Sequence, residues 1–258
     1  MIHFSLELMV CSFRNDYFSM IPYRFGPIKS PAAPAESASS ECASELNQGA
    51  AGQNSMGNQP KAGSREKWDR RYREQVFDSS IEPNPFLQAH VDSVKPGRVL
   101  CIAAGNGRNA VFLAELGFEV DAVDISTAGL DLCTRLADAR GVSVTPIQAD
   151  LTEFEIPAGI YDLITKFYYY QPQLFTPICR SLRPGGRLVF QTFSRDQLAF
   201  PRGPRSLDHL AKPEEILPPI DSLRLRFYED RILEPSDPSS EAEAVIRLIA
   251  EKEPRSLR

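Results

Sequence analysis

The stretch RVLCIAAGNGRNAVFLAELGFEVDAVDIS, Arg98 to Ser126, places a glycine-rich turn between two apolar segments. VLCIA is short and fully apolar, as expected of a strand buried on both faces of a parallel sheet. Gly105 and Gly107 lack a Cβ, so the backbone can approach a ligand there, and the next helix begins with free N–H groups beside that place. Asp124 lies nineteen residues beyond Gly105, where a carboxylate can accept both hydroxyls of a ribose. The stretch predicts a site for an adenosine-containing cofactor.

The turn by itself leaves the cofactor open. GNGRNA also satisfies the relaxed dinucleotide pattern G-x-G-x-x-A, so an NAD-dependent enzyme is one alternative. Asp150 in IQADL ends the third strand, where an acid can accept the adenine amino group, but it could equally be a helix N-cap or a turn residue. SLRPGGRLVF, residues 181–190, places a Pro-Gly-Gly turn between a helix and the fifth strand. Two C-terminal strands predict an antiparallel edge, which a dinucleotide-binding fold does not usually need.

Strands and helices alternate along most of the chain, and this order predicts an α/β fold. We expect a Rossmann-like, seven-stranded, mostly parallel sheet with an antiparallel edge hairpin and helices on both faces. The predicted strands are Arg98–Ala103, Glu119–Val123, Ser143–Gln148, Asp162–Phe167, Arg187–Phe193, Leu223–Tyr228 and Ala244–Ala250. The predicted helices begin near Arg65 and cover Arg108–Leu116, Thr127–Ala139, Gln171–Leu182 and Pro213–Leu217, and IEPNPF is predicted as a Pro-rich turn.

Taken together, GNGRNAVFLA, DAVDIS, QADL and LRPGGRLVF resemble a class I S-adenosylmethionine-dependent methyltransferase, and the resemblance covers about Lys67 to Lys252. WDRRYRE and the Arg-Asn after the glycines resemble its tellurite-resistance and thiopurine methyltransferase-like branch. Cys101 departs from the pattern, since many members carry an acid there. The resemblance implies S-adenosyl-L-methionine as cofactor. It implies these cofactor-binding residues: Trp68, Tyr72, Ala103, Ala104, Gly105, Gly107, Asn109, Asp124, Ile125, Asp150, Leu151 and Phe167.

Within that set the resemblance gives individual roles. Asp124 would hold the ribose, Ile125 would pack on adenine, and Asp150 would accept from the adenine amino group. Trp68 and Tyr72 lie one helical turn apart, so their helix could form a lid over the cofactor, although plain packing of this helix is an equal alternative.

The acceptor is less defined. Methyl transfer from a sulfonium needs mainly alignment, with a base only where the nucleophile must lose a proton, so we name no catalytic residue. KFYYYQP follows the fourth strand and lacks the [DN]PPY motif of amide or adenine N-methylation. Tyr168, Tyr169, Tyr170 and Arg195 are candidates for an acceptor pocket. We expect a small-molecule acceptor, with a thiol or chalcogenide as one soft nucleophile that would suit such a site. The alternative is a non-catalytic adenosine-ligand-binding or protein-interaction module.

Composition limits the partners. A formal charge of −5 and a pI near 5.4 disfavour nucleic acid and anionic membranes. The five cysteines of the chain form no CxxC pair, so we expect no metal site and a cytoplasmic location. We expect a monomer or a homodimer. Residues 1–63 read as a disordered, low-complexity extension, and 64–258 as the methyltransferase domain. Met20 and Met56 are alternative starts.

Overall fold

The computed structural model describes residues 63–235 and 241–254. These ranges lie in the second of two units into which the chain divides, Ser55–Arg258. The predicted disordered extension, residues 1–63, lies outside the described residues apart from Gly63. In the described part of the chain, no helix is long and apolar enough to cross a membrane.

Seven strands form one sheet. They are β1 (Arg98–Ile102), β2 (Glu119–Asp124), β3 (Thr145–Gln148), β4 (Tyr161–Phe167), β5 (Leu182–Phe193), β6 (Arg224–Leu233) and β7 (Glu243–Glu251). Their order is β3-β2-β1-β4-β5-β7-β6, with the first five parallel and β7 antiparallel to both of its neighbours. The predicted fold class is confirmed. In detail, β7 lies between β5 and β6, so β6 alone forms the edge on this side of the sheet, and β3 forms the other edge.

The helices cover both faces of this sheet. They are α1 (Ser64–Arg73), α2 (Pro85–His90), α3 (Arg108–Glu115), α4 (Thr127–Arg140), α5 (Phe175–Ser181) and α6 (Pro213–Ile216). Because side chains alternate along a strand, Val99 and Leu163 pack with α2, α3 and α4, whereas Leu100 and Ile164 pack with α5 and α6. Burial on both faces explains why these central strands are continuous apolar runs.

Three local predictions need correction. The segment Ile81–Phe86 is more than a Pro-rich turn, because helix α2 begins within it: Asn84 caps this helix by accepting the Phe86 N–H at 2.9 Å. The sequence contains the signal for this start, since Asn is a common N-cap residue and Pro is common at the first helical position. The helix predicted over Gln171–Leu182 divides into a 3₁₀ turn, Pro172–Leu174, and α5. The Pro-Gly-Gly segment lies inside β5, where the pairing with β4 shifts register.

The cysteines of the described part are buried and unpaired. Cys101, Cys133 and Cys179 are free thiols, and burial raises the pKa of Cys101 and Cys133 to about 12. Thiols of this kind are packing groups, as their apolar sequence surroundings predict for the first two.

Candidate cofactor and acceptor site

The glycine-rich turn lies where β1 and β2 end at the same edge of the sheet. The Ala104 N–H donates to the Val123 carbonyl and the Gly107 N–H donates to the Ala104 carbonyl, both at 3.0 Å. Ala103, Gly105 and Gly107 have positive φ angles of 53°, 57° and 81°. Such conformations are easy for glycine and strained for alanine, so Ala103 stores strain next to the expected cofactor position.

Asp124 supports this turn from the end of β2. One oxygen, Oδ2, accepts the Gly105 N–H at 2.8 Å, and Oδ1 accepts the Ser126 N–H at 2.9 Å. The side chain is buried, and desolvation raises its pKa against the opposing effect of these backbone hydrogen bonds. An ionised carboxylate offers about four acceptor positions. The acceptor capacity that its backbone hydrogen bonds leave free could receive the hydroxyls of a ribose.

Helix α1 lies over the glycine turn, a position that fits both the predicted lid and the plain packing of this helix. A Cβ built on Gly105 would collide with the Tyr72 hydroxyl, and one built on Gly129 would come within 3.0 Å of the Tyr72 ring. Trp68 stacks on Tyr72 with 6.0 Å between ring centroids. Burial, followed by the nearby charge of Asp124, raises the pKa of Tyr72 to about 12, so the phenol stays neutral.

Asp69, between these two aromatic residues, was not predicted as part of the site. It is 7% exposed and accepts the Ser126 hydroxyl at 2.7 Å and the Ala128 N–H at 3.1 Å. The Ser126 hydrogen bond is the main reason that its pKa is lowered. The charged segment WDRRYRE looks like a solvated face, but Asp69 and Tyr72 are three residues apart and therefore share one side of the helix.

Two residues predicted to bind the cofactor also make structural contacts. A Cβ on Gly107 would collide with Cys133 of α4, so the packing of α3 against α4 requires a glycine there. The Asn109 side chain accepts the Asn84 N–H at 2.8 Å and thereby ties α3 to the start of α2. Both lie beside the turn, and direct contact with the cofactor stays a prediction for them.

Asp150 lies two residues beyond β3, whose end pairs with the end of β2. Its Oδ1 accepts the Thr152 N–H at 2.9 Å and the Thr152 hydroxyl at 2.7 Å. The turn role that the sequence left open is therefore present, and Oδ2 is the oxygen available to an adenine amino group. Leu151 is buried in the α5-side core and Ile125 is half-buried.

The three consecutive tyrosines after β4 diverge. The Tyr168 hydroxyl donates to Glu243 at 2.7 Å and accepts from Gln191 at 2.6 Å, and Tyr168 has a φ of 53°. Tyr169 and Tyr170 are held elsewhere, since their hydroxyls donate to Gln171 and Glu215.

The other predicted residues near this end of β4 are held in different ways. Arg195 pairs with Glu215 at 3.2 Å, so an acceptor would have to compete for its guanidinium. Phe167 is half-buried and packs against the core on the face of the sheet that α3 covers.

Lys166, the last residue but one of β4, was also missed. Its side chain is fully buried, and its Nζ has no hydrogen-bond partner within the described residues. Desolvation lowers its pKa to about 7. Four aromatic rings surround the amine, with Nζ-to-centroid distances of 4.4 Å to Phe175, 4.9 Å to Phe190, 5.7 Å to Tyr170 and 5.9 Å to Tyr169. Nothing in TKFYYYQP distinguishes this lysine from one at an exposed strand end.

Comparison with known proteins agrees with this geometry. The profile of a family described as "Methyltransferase domain" matches residues 99–186, from β1 to the bulge of β5. The demethylmenaquinone methyltransferase of Thermus thermophilus is 30% identical over 163 residues, which are 60% of this chain and 67% of that protein. The ubiquinone biosynthesis O-methyltransferase of Bordetella avium is 27% identical over 154 residues, 51% of this chain and 63% of that protein. The chain thus spans about two thirds of the length of these relatives.

Solved structures share the fold at low identity. TehB from Haemophilus influenzae superposes with a TM-score of 0.54 at 14% identity, over 73% of this chain and 67% of that one. A geranyl diphosphate C-methyltransferase from Streptomyces coelicolor A3(2), solved with Mg²⁺, geranyl diphosphate and S-adenosyl-L-homocysteine, has a TM-score of 0.55 at 15% identity, over 75% and 100%. Neither the NAD-dependent nor the non-catalytic alternative is favoured by these matches. The chain belongs to the class I S-adenosylmethionine-dependent methyltransferases, and S-adenosyl-L-methionine is its cofactor.

Proposed function

We propose that the protein methylates a small aromatic acceptor at a ring hydroxyl, as in a phenol or hydroquinone. The observation that carries this proposal is the arrangement Gln191–Tyr168–Glu243 beyond the C-terminal end of β4, the edge of the sheet at which ligands bind in such folds. The names of the two relatives, which refer to quinone-related compounds, point in the same direction.

The proposed chemistry follows from the direction of these hydrogen bonds. Tyr168 donates its proton to Glu243 and accepts one hydrogen bond from Gln191, so one lone pair of its oxygen remains for the proton of the hydroxyl to be methylated. Burial, together with the charge of Glu243, keeps the pKa of Tyr168 well above its usual value, so the phenol alone is a poor base. Tyr168 and Glu243 together can instead act as a relay, in which Tyr168 takes the proton of the methyl acceptor's hydroxyl while it gives its own proton to Glu243. That transfer would accompany formation of the oxygen–methyl bond and breaking of the sulfur–methyl bond.

The wall of this region is aromatic. The Phe193 ring lies 4.8 Å from the Tyr168 ring, centroid to centroid, and Phe167 precedes it on β4. An acceptor ring could pack against these surfaces. Tyr169, Tyr170 and Arg195 remain secondary candidates for the pocket, because their polar groups are held by Gln171 and Glu215.

A second candidate is a soft nucleophile, a thiol or a reduced chalcogenide. It is favoured by the placement of α1, which carries WDRRYRE, directly over the glycine turn, and by the Arg108–Asn109 pair that follows the turn. Both features resemble the tellurite-resistance and thiopurine methyltransferase-like branch, which we propose as the place of this chain within its family. Such nucleophiles need alignment rather than a base.

One experiment separates the two acceptor classes. The full chain is assayed for S-adenosylhomocysteine production with catechols and hydroquinones, with aromatic thiols, and with tellurite. Tyr168→Phe should lower kcat for a hydroxyl acceptor about a hundredfold, because the proton-accepting oxygen is gone. The matched control is Tyr161→Phe, which removes a phenol that donates to Asp121 at the opposite end of β4.

Turnover of thiols or tellurite alone, unaffected by Tyr168→Phe, would contradict the hydroxyl proposal and support the soft nucleophile. Equal loss in Tyr168→Phe and Tyr161→Phe would mean that Tyr168 has no specific part in the reaction.

A further inference from the structure

Helix α1 has little intrinsic reason to be stable. It is ten residues long and strongly charged, and its N-cap, Gly63, offers no side-chain hydrogen bond. Isolated helices of this length are marginal in water. Asp69 is the only buried residue of this fully described helix. The position of α1 on the domain therefore depends on the contacts of an acid, supported by the half-buried Trp68 and Tyr72.

Asp69 lies at the N-terminus of α4. It accepts the N–H of Ala128 in the first turn and the hydroxyl of Ser126, the N-cap residue, at 3.1 and 2.7 Å. The first N–H groups of a helix lack partners within the helix, and the helix dipole favours a negative charge there. Arg65 adds a hydrogen bond to Thr127 at 3.0 Å. The buried acid is therefore well compensated where it lies.

Ser126 connects this contact to the cofactor site. Its hydroxyl donates to Asp69, while its N–H donates to Asp124 at 2.9 Å, and Asp124 in turn accepts the Gly105 N–H at 2.8 Å. A continuous series of hydrogen bonds thus runs from α1 to the glycine turn. Its members are Asp69, Ser126, Asp124 and Gly105.

The same helix delivers Tyr72 to that turn. Tyr72 lies three residues after Asp69 on the same side of α1, and its ring occupies the space above Gly105 and Gly129. Displacement of α1 would therefore remove the aromatic cover of the turn and the hydrogen-bonded partner of Ser126 together.

We infer that Asp69 is a positioning residue for cofactor binding, which fixes α1 to the N-terminus of α4 and thereby holds Asp124 and Tyr72 in the geometry that receives the adenosine group. It acts through Ser126 and Tyr72 and does not itself contact the cofactor. The inference concerns the cofactor side of the site and does not depend on the proposed acceptor.

The sequence supplies a reporter for the test, because Trp68 is the single tryptophan of the chain and lies next to Asp69. In the full-length protein, the affinity for S-adenosylhomocysteine is measured by calorimetry and the exposure of Trp68 by acrylamide quenching. Asp69→Ala should weaken binding about tenfold, because charge-assisted hydrogen bonds are lost, and should raise the quenching constant. Asp69→Asn, which keeps an acceptor oxygen, should fall between wild type and Asp69→Ala in both measurements. Glu66→Ala, an exposed acid on the same helix, is the matched control and should change neither.

Circular dichroism establishes that each variant is folded, and Asp69→Asn alone carries the test if Asp69→Ala does not fold. Affinity within about twofold of wild type in a folded Asp69→Ala protein would overturn the inference, as that change is smaller than one net hydrogen bond contributes. Where Asp69→Ala does not fold, wild-type affinity and wild-type quenching in Asp69→Asn would overturn it. Weakened binding with unchanged quenching of Trp68 would also overturn it, since Asp69 would then act without positioning α1.

Discussion

At the scale of single residues, the cofactor site consists of side chains whose hydrogen bonds are already committed to the backbone around them. Asp124 holds the glycine turn and Asp150 holds its own turn, yet each keeps acceptor capacity for a ligand. The groups predicted to bind adenosine are therefore held in place by the protein itself, which would reduce the ordering cost of binding.

Asp124→Ala tests the ribose assignment. We expect S-adenosylhomocysteine to bind at least about tenfold more weakly, because two charge-assisted hydrogen bonds to the ribose are lost. Calorimetric titration of the full chain measures this, with NAD as a ligand that should not bind. Asp131→Ala, an exposed acid on α4, is the control. Near wild-type affinity in a folded Asp124→Ala protein would show that the ribose is held elsewhere.

At the scale of elements, the contact between α3 and α4 depends on Gly107. This residue and Gly141, at the end of α4, both have positive φ angles, 81° and 68°. They differ in surroundings, since a Cβ at Gly107 meets Cys133 whereas nothing lies within 4 Å of one at Gly141. The pair therefore separates steric overlap from backbone strain.

Gly107→Ala should destabilise the protein by about 1–3 kcal/mol more than Gly141→Ala, because overlap in a packed interface adds to the strain that both share. Urea unfolding monitored by circular dichroism gives both free energies of unfolding. Equal losses would show that α4 shifts without cost and that Gly107 serves only the turn.

At the scale of the whole molecule, Lys166 is the group whose environment depends on several strands and a helix at once. Strands β1, β4 and β5 and helix α5 combine to bury it, with Ile102 and Phe190 as its neighbours across the sheet. The surrounding rings offset part of the cost of a buried ammonium, and its pKa falls to about 7. An unfolded lysine titrates near 10.4.

The sign of the pH dependence follows from these two values. Between about pH 7 and pH 10 the unfolded chain holds a proton on Lys166 that the folded protein has lost, so stability rises with pH by up to about 1.4 kcal/mol per unit. Below about pH 7 both states are protonated and the full cost of the buried charge remains.

Lys166→Met should therefore be more stable than wild type at pH 7, and the difference should shrink as the pH rises toward about 9.5. Other groups titrate in this window in both proteins, so the difference between their free energies of unfolding isolates Lys166. Lys95→Met, at an exposed lysine, should show no such trend. A difference independent of pH would mean that Lys166 keeps its ordinary pKa in the folded state.

The alternation of short apolar strands with helices was sufficient to predict the parallel sheet, its antiparallel partner strands and the position of the glycine turn. These features follow from local hydrophobic pattern and from glycine and aspartate at a set spacing, which one stretch of sequence contains in full. Asp124 and Gly105, nineteen residues apart, are hydrogen-bonded partners in the structure as well.

Other features were decided only by the tertiary structure. Asp69 is buried because α1 meets the N-terminus of α4, 57 residues away in sequence. Lys166 is buried because aromatic residues of α5, of β5 and of the loop after β4 surround it. The three tyrosines after β4 are adjacent in sequence but contact different glutamates and a glutamine. Local sequence determines which conformation each segment prefers. The burial of a charge depends instead on which distant groups pack against it, and these groups are distributed along the whole chain.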